Sequence, residues 1–183
     1  MDNLKRARSL VGISAGRPSD DYYPTPFYAT RALLEYEKFD GLVWEPACGD
    51  GAICKILDEY GYEYIASDLN YRDFGEGSID FLKIDRVVDN IITNPPYNIA
   101  QEFVEHSLKS TTKKVAMLCK LQFLEGVKRR DMFKTTPLKT VYVFSKRLTM
   151  GRNGDASYKS GMLCFAWFVW DHSYEGKPVI EWI

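Results

Sequence analysis

The chain has 183 residues, 45% hydrophobic and 14% aromatic, with a formal net charge of −1. That is the length of one domain with enough apolar mass for a core, and it excludes a disordered chain. No apolar run approaches the ~20 residues of a membrane span, and the N-terminus lacks the apolar stretch of a signal peptide.

A cytoplasmic protein with reduced thiols is therefore expected. Cys48, Cys54, Cys119 and Cys164 show no paired metal-ligand spacing, only His106 and His172 could join them, and no metal site is expected. Residues 1–20 hold Lys5, Arg6 and Arg8, then Gly12, Gly16 and Pro18, without apolar periodicity. They read as a flexible arm before a single domain over 21–183.

Thr25 before Pro26 marks a helix start, with Thr as N-cap and Pro in the first helical position. The helix is predicted to run to about Glu37. Its free N–H groups and positive dipole end suit a carboxylate; a simple capped helix is the alternative. Leu42-Val43-Trp44-Glu45 is an apolar strand ending in an acid. Pro46, Ala47, Cys48, Gly49, Asp50 and Gly51 then form a small-residue turn into a helix over Ala52–Tyr60. This is the first β-turn-α of a Rossmann-like unit. Gly49 and Gly51 let the backbone approach a ligand closely, and Glu45 is placed to pair with an ammonium, directly or through water.

Glu63 to Asp68 reads as a second strand, ending in an acid 23 residues after Glu45. A carboxylate there can accept both hydroxyls of a ribose. Ser78 to Leu82 is a short third strand or a turn, with Asp80 available to an exocyclic amine and Phe81 to a purine face. Asn90-Ile91-Ile92-Thr93-Asn94-Pro95-Pro96-Tyr97 then runs from a buried strand into a stop. Neither proline has an N–H for a sheet ladder, and both stiffen the backbone that carries the Asn94 amide and the Tyr97 ring. An acceptor oxygen, two donor hydrogens and a stacking surface can grip a flat group bearing an NH2.

Asn98 is the expected cap of the next helix, with Gln101 as its capping-box partner. His106 on that helix reads as structural or solvated. Lys114–Lys120 is a fifth strand, apolar between lysines as a central parallel strand should be. Leu124–Phe133 is predicted helical, Thr140–Phe144 a sixth strand and Met162–Trp170 a seventh. The aromatics Trp167, Phe168 and Trp170 are expected in the core, while Phe165 or Tyr158 could close the far side of a base slot. Val179–Ile183 is an apolar tail expected to pack on the domain. Residues 145–161 form a long polar loop of the kind that is usually functional or disordered.

Charge is segregated. Residues 109–152 hold 12 Lys or Arg against 2 acids, a balance of +10, which leaves −11 for the remainder. A positive face of this kind suits a polyanion; a solvated lysine-rich surface is the alternative. The candidate nucleic-acid contacts are Lys128, Arg129 and Arg130 on the helix and Lys146, Arg147, Arg152 and Lys159 in the loop.

The tetrapeptide Asn94-Pro95-Pro96-Tyr97 at a strand end resembles the catalytic motif of S-adenosylmethionine-dependent amino-methyltransferases, chiefly those acting on N6 of adenine. The motif order (Thr25-Pro26, glycine loop, Asp68, Asp80, then the tetrapeptide) is similar to that of N6-adenine DNA methyltransferases. The likeness is greatest to small phage and prophage-encoded members, through Leu124-Glu125-Gly126, Val141–Phe144 and Trp167–Trp170. It implies an α/β, Rossmann-like class I methyltransferase fold: a seven-stranded, mostly parallel sheet with helices on both faces and the last strand antiparallel. It implies S-adenosyl-L-methionine as cofactor, held by Thr25, Pro26, Glu45, Ala47, Gly49, Asp68, Leu69, Asp80 and Phe81. Asn94, Pro95, Pro96 and Tyr97 would be catalytic, with Asn94 Oδ1 and the Pro95 carbonyl accepting the two hydrogens of a flipped adenine amine in DNA, as in restriction–modification. Larger members carry a separate target-recognition domain, for which this chain has no room. Methylation of adenine in RNA or of glutamine in a protein uses the same motif. A non-catalytic cofactor-binding subunit of a nucleic-acid complex is the rival from another class. Monomer and homodimer are both open.

Overall fold

The computed structural model describes residues 22–150 and 163–183. The expected N-terminal arm, Arg152, Tyr158, Lys159 and Met162 lie outside the described residues.

Seven strands form one sheet: β1 (Val43–Glu45), β2 (Tyr64–Ala66), β3 (Val88–Thr93), β4 (Thr111–Lys120), β5 (Leu138–Val143), β6 (Phe165–Asp171) and β7 (Val179–Trp182). Their order across the sheet is β2-β1-β3-β4-β6-β5-β7. The one antiparallel strand is β6, paired with β4 on one side and β5 on the other. That is the strand expected to close the sheet in the antiparallel sense. Among the described residues four helices cover the sheet: α1 (Phe27–Tyr36), α2 (Ala52–Glu59), α3 (Ala100–Lys109) and α4 (Val127–Thr135). Leu33 and Leu34 of α1 and Ile53, Ile56 and Leu57 of α2 pack on one face of the sheet. Phe103 and Val104 of α3 and Met132 of α4 pack on the other. Strands β4 and β6 are the spine: Val115–Cys119 and all of Phe165–Asp171 are buried. Two-sided burial is why they read as continuous apolar runs.

Several boundaries differ from expectation for local reasons. Pro26, not Thr25, is the cap of α1, and no side chain caps it; the first helical N–H bond runs from Ala29 to the Pro26 carbonyl at 2.9 Å. Asn98 does not cap α3 either. It sits inside a short 3₁₀ turn, Tyr97–Ile99, and Gln101 donates to Glu105 at 2.9 Å instead of reaching back. Helix α4 begins three residues later than predicted, because Gly126 has φ of 137°, which no helix admits. Strand β4 starts early, as the β-branched Thr111 pairs with Val88. Residues 78–82 resolve as a turn that enters a 3₁₀ segment, Phe81–Lys83. The seventh strand comes instead from the C-terminal tail, which adds to the β5 edge in parallel.

The chain passes from β1 outward to β2, then back across β1 to β3. Ligand sites in such sheets lie at the carboxyl ends of the two strands where the order reverses. Here those strands are β1 and β3, which carry Glu45 and Asn94 at their ends. Among the described residues no helix is long and apolar enough to cross a membrane.

Candidate active site

A cavity of about 430 Å³ opens at that point. Its floor comes from the glycine turn (Pro46–Cys48), one flank from Asp68 to Asn70 and Ile79 to Leu82, and the other from Asn94 to Ile99. The Tyr22–Thr25 strap closes the remaining side. Of the residues expected to hold a cofactor, Thr25, Ala47, Asp68, Leu69, Asp80 and Phe81 line this cavity together with Asn94, Pro95, Pro96 and Tyr97. Pro26, Glu45 and Gly49 are not among its lining residues.

Glu45 ends β1 with no exposure at all. Its Oε1 accepts the Thr93 hydroxyl at 2.6 Å and the Ala47 N–H at 3.1 Å. Its Oε2 is buried and has no hydrogen-bond partner among the described residues. Burial, helped by the nearby Asp68 charge, outweighs the Thr93 and Ala47 bonds and pushes this carboxyl up to about 8. Gly49 turns with φ of 56°, and a Cβ on it would strike the Tyr22 ring. Gly51, at φ 81°, lies as closely under the Phe74 ring. Asp68 fastens the same loop: its Oδ2 accepts the Gly49 N–H at 2.9 Å and its Oδ1 the Asn70 N–H at 2.8 Å. Each carboxylate oxygen can accept two bonds, so Asp68 still has capacity for hydroxyls.

Asp80 faces Lys83, with Oδ2 at 2.8 Å from the ammonium, and that bond holds its carboxyl below the usual range. Phe81 is 2% exposed, its ring packed against Trp44, Phe103 and His106. His106 itself is structural, its Nε2 3.1 Å from the Ile84 carbonyl.

The Asn94 amide is held at both donor hydrogens. Its Nδ2 donates to the Tyr23 carbonyl at 3.1 Å and to Thr25 Oγ1 at 3.1 Å. A carbonyl can only accept, which fixes which way the amide faces. Oδ1 is buried with no partner among the described residues. The adjoining Tyr97 ring lies 5.7 Å from the Phe165 ring and 6.3 Å from Tyr23, with Lys120 Nζ 4.9 Å over its face.

The sequence reading did not single out the Tyr22–Tyr23 strap, Arg72 or Lys120. Arg72 stacks on the Tyr22 ring at 4.4 Å, and the Tyr22 hydroxyl accepts the Asp50 N–H at 3.1 Å. Two aromatics just before Thr25-Pro26 were the available signal.

The basic half of the chain divides between the two ends of the sheet. Lys128, Arg130, Lys146 and Arg147 are exposed at the site end. Arg129 lies beside them, but its guanidinium donates to the Phe123 carbonyl at 2.8 Å and to the Glu125 carbonyl, and stacks on Phe123. Lys113, Lys114 and Lys139 lie at the opposite end, paired with Asp89, Glu37 and Asp171.

No protein-family model and no curated protein matches the chain. Solved structures do. A modification subunit of a proposed type I restriction enzyme from Vibrio vulnificus superposes with a TM-score of 0.62 at 14% identity, over 99% of this chain and 50% of that one. The chain thus spans about half the length of that subunit. A proposed class I S-adenosylmethionine-dependent methyltransferase from Listeria monocytogenes gives 0.61 at 14% identity, over 99% and 72%. A proposed RNA methyltransferase from Pyrococcus horikoshii gives 0.60 at 14%, over 93% and 98%. The chain therefore has the class I, Rossmann-like methyltransferase fold.

Proposed function

We propose that the protein transfers a methyl group from S-adenosylmethionine to the N6 amine of an adenine flipped out of DNA. The observation that carries this reading is the Asn94 amide, whose donors are both engaged while its buried acceptor oxygen is left unsatisfied beside the cavity. Native proteins seldom bury an acceptor without a donor, so the missing donor is assigned to a ligand N–H.

The residues present also fit the cofactor. Glu45 Oε2 is a second orphaned buried acceptor, suited to an ammonium. Asp68 would take ribose hydroxyls, with Asp80 and Phe81 toward the adenine end. When bound, S-adenosylmethionine supplies an electrophilic methyl group on a sulfonium.

The rest is done by this chain's own residues. An adenine amine is a poor nucleophile, because its lone pair is delocalised into the ring. Asn94 Oδ1 and the Pro95 carbonyl accept its two hydrogens, which favours a pyramidal nitrogen with its lone pair directed away from both. Pro95 and Pro96 keep those acceptors from moving. Tyr97 offers a face for the flipped base and offsets part of the cost of unstacking it. As the N–C bond forms and the C–S bond breaks, the amine becomes acidic and releases one proton to water, so no strong base is needed; position and charge placement carry the rate. Exposed Lys128, Arg130, Lys146 and Arg147 at the same end suit a phosphate backbone.

A restriction-enzyme modification subunit and an RNA methyltransferase superpose almost equally well, so the choice of DNA rests on the motif order read from the sequence. The test is transfer of labelled methyl to duplex DNA, single-stranded DNA, RNA and a protein extract in parallel at low salt. N6-methyladenine in DNA is the expected product. Label only in RNA or protein would move the substrate, and a cofactor-binding protein with no transfer would sink the catalytic reading.

A further inference from the structure

We infer that Thr25 is a positioning residue that sets the orientation of the Asn94 amide, with the Tyr23 carbonyl as its backbone counterpart. The inference rests on the proposed amine-methylating role of Asn94 and adds a function for the strap before α1. The Thr25-Pro26 pair read from sequence as a helix start with a carboxylate site. In the structure Thr25 is not the cap; it is 6% exposed and its hydroxyl accepts from Asn94 Nδ2.

The geometry explains why two acceptors are needed. An amide can rotate by half a turn and exchange its oxygen for its NH2 with almost no change in shape. In the exchanged orientation Oδ1 would face the Tyr23 carbonyl, two acceptors in contact, and the NH2 would point toward the substrate amine, donor against donor. The Tyr23 carbonyl, which can only accept, excludes that state; the Thr25 hydroxyl takes the second hydrogen and fixes the tilt of the amide plane, so the amide is gripped at two points. The strap that supplies both acceptors is itself anchored on the cofactor loop. The Tyr22 hydroxyl accepts the Asp50 N–H, and its ring lies between Gly49 and the Arg72 guanidinium. Segment 22–25 thus joins the loop expected to hold the cofactor to the amide expected to hold the substrate.

The test compares Thr25→Val, which keeps the shape and loses the acceptor, with Thr25→Ser, which keeps the acceptor. Methyl transfer is measured at saturating cofactor, and the Asn94 side-chain NH2 resonances are followed by NMR in the full chain. Thr25→Val is expected to lower kcat about tenfold, the scale of one lost hydrogen bond. Cofactor Kd and the KM for DNA should stay unchanged, and Thr25→Ser should restore most of the rate. In an Asn94→Ala background Thr25→Val should cost nothing further, since its effect passes through the amide. The Asn94 resonances should shift in Thr25→Val and return in Thr25→Ser. Unmoved resonances, or a raised cofactor Kd with kcat intact, would overturn the inference and return Thr25 to a cofactor contact. A shift of the resonances in a protein whose wild type methylates nothing would uphold the positioning and reject the proposed reaction.

Discussion

Glu37 lies at the amino ends of β4 and β5, and Glu45 at the carboxyl end of β1. Both are almost wholly buried, at 3% and 0% exposure. Glu37 takes Lys114 Nζ at 2.9 Å, Lys139 Nζ at 2.8 Å and the Tyr142 hydroxyl at 2.7 Å, with Asp171 completing the cluster 3.8 and 3.9 Å from the same lysines. Burial works to raise the Glu37 pKa, but the two ammonium groups and the tyrosine outweigh it and hold the carboxyl below the usual range. Glu45 has a hydroxyl and an amide instead, and its pKa rises to about 8. The same chemical group is thus completed by the protein at one end of the sheet and left incomplete at the other. A half-satisfied buried carboxylate costs stability, and the incomplete end is the one with the cavity.

The largest expected effect tests that incompleteness directly. Asn94→Ala removes the acceptor and should cut kcat by about 10³-fold, roughly 4 kcal/mol at the transition state, while cofactor Kd from calorimetry is spared. Equal loss of cofactor binding would break the division of roles between β1 and β3. At the completed end, Glu37→Ala leaves two lysines facing each other. Lys139 reaches solvent, so the loss should fall below the figure for a fully buried pair, at about 2–3 kcal/mol in urea unfolding. Methyl transfer at a temperature where the variant stays folded should be unchanged, and a kcat defect there would mean that the two ends are coupled. Tyr97→Ala should weaken binding of DNA with a pre-flipped or abasic-paired adenine by roughly 1–3 kcal/mol, read by fluorescence anisotropy.

The smallest effect is the pH dependence of Glu45. Its folded pKa is raised from 4.5 to about 8, so the ligand-free protein holds an extra proton between those values. That contribution to stability is full below 4.5 and is lost as pH rises through 8. The thermal midpoint of the ligand-free protein should drift downward over this window, and Glu45→Gln should flatten the drift. Cofactor pairing needs the ionised form, so affinity should rise roughly ninefold from pH 6 to pH 7 for a group titrating near 8, a range in which the ligand's ammonium keeps its proton. An affinity that falls over that range would contradict an ammonium partner.

Much of the architecture was legible in the chain, because the centres of β3, β4 and β6 are runs of buried apolar residues, and Gly49 and Gly51, both at positive φ, follow a strand that ends in an acid. The placement of Asn94, Asp68 and Glu45 around one cavity followed from their positions at strand ends. What was not legible depended on long-range partners. Thr25 carries the signature of a cap, yet its hydroxyl is taken by an amide 69 residues away. Lys113, Lys114 and Lys139 raised the apparent charge of a nucleic-acid face, but their counter-ions Asp89, Glu37 and Asp171 lie far off in sequence. Leu148 and Met150 sit in a stretch that reads as polar loop, yet they are buried, and the Thr149 N–H donates to the Tyr28 hydroxyl on α1 at 3.2 Å.

Inserting β6 between β4 and β5 has a consequence for how such a protein can diversify. Strand β5 finishes at the cavity end and β6 starts there, with Phe165 beside Tyr97. The connection between Val143 and Phe165 therefore begins and ends at the cavity end of the sheet. Lengthening a connection is cheap, about 0.6 kcal/mol for each doubling, and growth of this one beyond its buried anchors Leu148 and Met150 would leave the strand pairings as they are. A change there would reshape the rim of the cavity, while β1 and β3 stay under separate constraint.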